Sequence, residues 1–226
     1  MPHVIEVPRI DSTGRARAGS QKQIQTYVNE RTDVLNSAIA QSLSRYNLDE
    51  NDIQWVSPLS EHKFAEYRDS EFLERVRLGH LAPRLREFWP QRGPCWDALA
   101  RIQGGCALIE AKSHVQEIYG GGCGATSPQS KQKIQAAFEA TKAWLGVSPD
   151  VDWTGRLYQS ANRYASLYFL REIAGIQAFL VNVYFVCDPI SPTTREDWNA
   201  AIEGVNRELG LFAQVPYSAA LFLRAE

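Results

Sequence analysis

Asp97, Glu110 and Lys112, two carboxylates and an ammonium near the middle of the chain, are the residues whose types and spacing could do chemistry. Glu110 and Lys112 stand two apart in CALIEAK, a strand-like run, so both side chains leave one face while Ile109 and Ala111 leave the other. Upstream, WDALARI reads as a second strand across a turn at Gln103 and Gly104. A two-residue turn pairs Ile102 with Gly105, and the same register sets Asp97 opposite Glu110. Facing like charges are unfavourable in a sheet, and a bound divalent cation resolves the conflict.

Magnesium, or manganese in its place, prefers oxygen ligands and keeps several waters, so Asp97, Glu110 and the backbone carbonyl of Ala111 would suffice to hold it. Lys112 alongside could orient the attacking water or offset charge gathering on a phosphate, two roles that spacing does not separate. A register shifted by one residue would instead put Asp97 opposite Ala111, on the other face from Glu110. In that case Glu110 and Lys112 would be an ordinary ion pair on a solvated strand.

The elements that must position these residues follow from periodicity. Residues 20–43 repeat apolar side chains three or four apart, a long amphipathic helix with an interruption near Thr32. A short strand is expected over 53–56, a helix over 61–76, and a helical turn over 83–88 before Pro90, Gly93 and Pro94. Strands over 95–102 and 106–112 then form the hairpin. Pro128 opens a helix to about Leu145, and another amphipathic helix spans roughly 154–174. IQAFLVNVYFVC has the content of a central strand, Thr193 or Thr194 caps a last helix ending near Gly210, and 219–224 adds an edge strand. The pattern predicts an α/β fold: a central mixed sheet with helices on both faces. Residues 1–19, punctuated by Pro and Gly, read as a flexible arm, and 20–226 as a single domain.

With 226 residues, 44% of them hydrophobic, the chain can bury a sizeable core, and a formal net charge of −2 exerts no overall pull on polyanions. Nucleic-acid binding would need a local patch. The longest apolar stretch carries Gln177 and Asn182 and is too short to span a bilayer, while the amino terminus lacks an apolar signal segment, so a cytoplasmic, membrane-free location is expected. Cys95, Cys106, Cys123 and Cys187 lack CxxC spacing and read as reduced thiols. Nothing in the chain indicates a homo-oligomer.

Laid out as Asp97 and, thirteen positions on, Glu110-Ala111-Lys112, the segment resembles the PD-(D/E)XK nuclease superfamily. There an Asp begins or lies on one core strand and an acid-x-Lys triplet sits on the next. The likeness spans roughly residues 61–188, with Trp96 rather than Pro before the Asp. It implies a restriction-endonuclease-like core and metal-dependent hydrolysis of nucleic acid, DNA in the main and RNA less often. It also implies an assisting acid from a preceding helix, for which Glu66 and Glu71 are the candidates.

Further residues could join such a site. Gln159, Asn162, Arg163 and Ser166 share a helical stripe that either touches phosphate or is a solvated face, with Gln159 the accessory candidate. His114 follows Lys112 by two and is either an outer neighbour of the metal or a surface residue. Arg68, Arg75, Arg77, Arg84, Arg86 and Arg92, with Trp55, Trp89 and Trp96 nearby, form either a nucleic-acid patch or an ion-pair network with the intervening acids. YGGGCGATS, residues 119–127, lacks the spacing of a phosphate-binding loop and reads as a mobile lid or connector. Two other readings stay open: a nuclease-like domain that only binds nucleic acid or a protein partner, and an unrelated hydrolase with His80 or His114 on a metal.

Overall fold

The computed structural model describes residues 9–226. Five strands, β1 (Gln54–Ser57), β2 (Ala98–Ile102), β3 (Gly105–Lys112), β4 (Gln177–Val186) and β5 (Ser218–Arg224), form one sheet in that spatial order. β1, β2 and β3 make an antiparallel meander, whereas β3, β4 and β5 run parallel. The helices are α1 (Gly19–Glu30), α2 (Thr32–Ser42), α3 (Asp69–Arg75), α4 (Ala82–Phe88), α5 (Pro128–Leu145), α6 (Tyr158–Tyr168) and α7 (Arg195–Glu208). Parallel neighbours need long crossovers, and α5 with α6, then α7, supply them.

The strand alternation decides which core each residue joins. Ala107, Ile109, Val181 and Val183 pack with Ile24, Leu35 and Ile39 of α1 and α2. The opposite face, with Leu108 and Leu180, packs with Phe72, Phe138, Leu167 and Trp198 from the remaining helices. The molecule is therefore an α/β protein whose mixed sheet is covered on both faces, and no helix among the described residues is long and apolar enough to cross a membrane. All four cysteines are free thiols.

Local signals act where they were expected. Arg31 separates α1 from α2; Ser127 caps α5 with Pro128 at its start; Thr194 and Asp197 form a reciprocal capping box on α7. Two helices differ from their periodicity. Over 61–76 only Asp69–Arg75 is helical, because Lys63 and Phe64 take positive φ angles of 53° and 56° and Tyr67 pairs with Trp96. The Asp69 carboxylate then accepts from the backbone N–H groups of Arg92 and Gly93 at 3.0 and 2.9 Å. The helix expected to Ala174 leaves α geometry after Tyr168 for a π turn, Phe169–Ile173.

The arm over residues 1–19 is in part outside the described residues. What is described, 9–18, is tied down rather than loose: Ile10 bridges Ala16, the Ala16 N–H donates to Gln25 Oε1 at 2.8 Å, and Arg15 pairs with Glu30 at 2.6 Å. At the other end of the hairpin, a Cβ on Gly105 would lie 1.8 Å from the carbonyl oxygen of Gln177, so β3 and β4 approach closely only because the residue is glycine. Gly105→Ala is expected to cost about 3 kcal/mol by prying the two strands apart. A lower urea midpoint at unchanged slope would report it.

Candidate active site

The hairpin register brings the two carboxylates together. Ile102 pairs with Gly105 and Ala98 with Ile109, across a turn in which Gly104 takes a φ of 73°. The same register, one step past the first residue of β2, sets Asp97 opposite Glu110 and excludes the shifted alternative. Asp97 Oδ2 accepts from the Ala111 N–H at 2.7 Å, which fixes the carboxylate at the head of the hairpin. Ile109 and Ala111 are buried against α1 and α2, so Glu110 and Lys112 point to the side of α6 and α7.

Glu110 is only 5% exposed and each of its oxygens meets a cation. Lys112 Nζ donates to Oε1, and Arg163 Nε donates to Oε2 at 2.6 Å. Arg163 is locked from every side. Its Nη2 donates to the Cys95 carbonyl at 2.9 Å, its Nη1 to Asn162 Oδ1 at 3.0 Å, and its guanidinium carbon lies 4.8 Å from the centre of the Trp96 ring. The polar stripe of α6 is thus turned inward: Asn162 and Arg163 are 8% and 5% exposed, so the stripe is not a solvated face.

The charges set the proton affinities. Burial pushes the Glu110 carboxyl upward, but Arg163 and Lys112 together outweigh it and hold it below the usual carboxylate range. Asp97 has no such escort. Burial and then the neighbouring Glu110 charge push it up to about 8, against the pull of Lys112 and the Ala111 hydrogen bond. Glu66 is also raised, by burial first and then by Glu110, although Gln21 Nε2 donates to it at 3.0 Å.

Glu66 therefore belongs to the electrostatic neighbourhood of Asp97 and Glu110, though not from a helix. It precedes Tyr67 on the extended segment that bridges Trp96, and that bridge carries it beside Cys95 and Asp97. Glu71 does not join it. That residue is exposed on α3, in a groove with Arg68, Arg86 and Arg92. Gln159 lines the cavity that Glu110, Lys112 and Arg163 also line. His114 lies beyond the end of β3, its Nε2 3.2 Å from Glu117 Oε1, in a separate groove with Ser20 and Asp188. His80 is exposed on a short 3-10 turn, so neither of the two candidate histidines lies at the centre of the site.

The basic stretch also sorts itself. Arg75 sits over the Tyr67 ring and Arg84 donates to the Ile173 carbonyl at 2.5 Å, while none of the six arginines between Arg68 and Arg92 forms an ion pair with a described acid. Of the two readings of this stretch, the ion-pair network is not found among the described residues. Trp89 and Trp96 are buried and so are not stacking platforms, whereas Trp55 is half-buried with its Nε1 donating to Asn36 Oδ1. The glycine-rich loop is a tethered connector, since Gly120 and Cys123 donate their N–H groups to the carbonyls of Arg156 and Thr154.

Among the described residues no three His, Cys, Asp or Glu side chains converge into a ready-made cation cage. Even so, the donor chemistry at the hairpin fits a hard divalent ion. An ionised carboxylate offers about four lone-pair positions, of which Lys112 and Arg163 occupy two on Glu110 and the Ala111 N–H one on Asp97. Asp97 and Glu110 would hold the ion, with the Ala111 carbonyl as a further ligand. A test lies in pH. Metal must displace the proton of Asp97, so Mg2+ or Mn2+ affinity is expected to rise with pH and level off above about 8, with close to one proton released per ion by calorimetry in two buffers. Without metal the sign reverses. A folded pKa raised above the unfolded one lends stability that is complete below the ordinary carboxylate range and is lost as pH rises through about 8, so chelated protein should melt lower at pH 8.5 than at pH 6.

Two residues of this site are plain only in three dimensions. Arg163 carries the sole formal charge of YQSANRYASLY, and a helix with one charge and no acid of its own must seek a partner elsewhere, which is the signal that marks it. Asn182 is a lone amide in the apolar run of β4 and stands in register with Glu110. The fold and site together define an α/β protein with an acidic, cation-flanked centre at the end of a β-hairpin. Compared with known proteins, the chain matches no family model, no curated protein and no solved structure.

Proposed function

We propose that this protein is a metal-dependent nuclease with a restriction-endonuclease-like core, hydrolysing phosphodiester bonds of nucleic acid, DNA in the first instance. The observation that carries the proposal is that Lys112 pairs with Glu110 on β3 while the Asp97 carboxylate, next in the β2–β3 register, accepts from the N–H of the intervening Ala111. An Asp at the head of one strand and an acid-x-Lys triplet on the next is the arrangement of the PD-(D/E)XK nucleases. Bound Mg2+ or Mn2+ would supply a Lewis acid for the phosphate and a more acidic water.

The chain's own groups do the rest. Asp97 and Glu110 would hold the ion, and Arg163 fixes the Glu110 carboxylate so that it would not swing when a ligand arrives. Lys112 Nζ, bonded to Glu110 and lining the cavity beside it, would orient the nucleophile and offset charge on the phosphate in the transition state. The reading puts the protein in the cytoplasm, where its four thiols would stay reduced. The test is incubation of the full chain with single- and double-stranded DNA and RNA, in Mg2+, Mn2+ or chelator. Cleavage in metal alone, lost in Lys112→Ala, is expected; intact substrates under every condition count against the proposal.

One feature favours a second reading, a nuclease-like domain that binds nucleic acid or a protein partner without turnover. Both oxygens of Glu110 are already bonded to protein cations, which balance the charge a metal would otherwise balance. Retained binding of nucleic acid with no cleavage in any metal would select it.

A further inference from the structure

Beside the acidic centre a cavity of about 160 Å³ opens between the sheet and the helices α6 and α7. It is lined by Glu110 and Lys112 of β3, Asn182 and Tyr184 of β4, Gln159 of α6 and Asn206 of α7, with apolar side chains making up much of the rest. Because Glu110 and Asn182 are register partners on adjacent parallel strands, the amide adjoins the acidic centre directly. Tyr184 is held in place, its ring centre 4.8 Å from that of Trp198 and 5.8 Å from that of Phe222.

The lining selects a type of ligand. Among the described residues nothing hydrogen-bonds to the side chains of Gln159, Asn182 or Asn206, whereas Asn162 and Ser166 on the same helix as Gln159 are both engaged. Three idle carboxamides, each with a carbonyl acceptor and an NH2 donor, match the edge of a nucleobase, where acceptors and donors alternate. Phosphate is less well matched away from Lys112, because Arg163 is the one other cation among the lining residues and three of its five N–H donors are already given to Glu110, Asn162 and Cys95. Size narrows the choice. A cavity of about 150 Å³ takes one benzene-sized ring, so the space suits a single six-membered ring and not a base pair.

We propose that this cavity is a base-binding pocket for one unpaired pyrimidine, whose adjoining phosphate lies at Lys112. It follows that the substrate strand is already unpaired there before it binds, so that a continuous duplex does not fill the pocket. The placement of the phosphate rests on the nuclease proposal; the pocket's preference for a base does not.

The test uses fluorescent oligo-dT, oligo-dA and a hairpin duplex, bound by the full chain carrying Lys112→Ala in Mg2+, alongside cleavage by the unaltered chain. Oligo-dT is expected to bind roughly tenfold tighter than the duplex, and Asn182→Leu or Gln159→Leu to weaken oligo-dT by about tenfold while leaving duplex affinity unchanged. Thermal unfolding checks each variant. Should Asn182→Leu fail to fold, Gln159→Leu and Asn206→Leu on the helices carry the test. Equal affinity for all three ligands, or folded variants with undiminished oligo-dT binding, overturns the pocket. Metal-dependent cutting of single strand and duplex alike also overturns it while sparing the nuclease proposal. Amide-dependent oligo-dT binding with no cleavage upholds the pocket and removes the nuclease.

Discussion

Lys112→Ala is expected to lower the rate of metal-dependent cleavage by about three orders of magnitude, the loss typical of removing a preorganised charge from a developing oxyanion. Metal affinity should change little by comparison. In the proposed site Asp97 and Glu110 would supply the ligands, and Arg163 would still hold Glu110 in its orientation when Lys112 is gone. Single-turnover cleavage and a calorimetric Mn2+ titration on the same preparation separate the two quantities. Lys112→Arg is expected to recover only a small part of the rate, because a broad planar guanidinium does not place its charge where a compact ammonium does. Cleavage by Lys112→Ala within a few-fold of the unaltered chain would remove Lys112 from the chemistry and with it the proposed mechanism.

The largest effect on stability is expected at Arg163. Arg163→Leu takes away one of the two cations that accompany a buried carboxylate, and breaking a buried ion pair costs about 3–5 kcal/mol. The lower end applies, since Lys112 remains on the other oxygen of Glu110. For a chain of this size, about 3 kcal/mol lowers the melting temperature by roughly 6–12 °C. The sign of the pH dependence is distinctive. Glu110 is held below the ordinary carboxylate range, so its contribution is present above the unfolded value and is lost as pH falls through the folded one. The deficit of Arg163→Leu should therefore be greatest near neutrality and shrink below about pH 4, where the carboxyl is protonated without help. Adding Glu110→Gln to Arg163→Leu should recover part of the loss, as expected when two residues act through one contact. A deficit of the same size at pH 4 and pH 7 would mean that Arg163 supports the fold through packing on Trp96 rather than through its charge.

Where local chemistry dominates, sequence and structure coincide. The β2–β3 hairpin, the helix opened by Pro128, the Thr194 cap and the break between α1 and α2 all depend on neighbours within a few residues, and each lies near its expected place. Segments whose fate depends on distant partners do not follow their periodicity. Tyr67 leaves a helical pattern to pair with Trp96, and the stripe on α6 turns inward because Glu110, fifty-three residues earlier, needs the guanidinium of Arg163. The same non-locality separates the two candidate assisting acids: Glu66 comes near the centre on the Tyr67 segment, and Glu71 does not.

By itself the sequence determined that Glu110 and Lys112 share a strand face and that a short turn could set Asp97 against Glu110, because side-chain alternation and turn length are properties of the local chain. Only the tertiary structure decided what surrounds that pair. Arg163 on Glu110, Asn182 beside it and the cavity between β4, α6 and α7 join residues far apart in the chain, and no periodicity records which of them will meet.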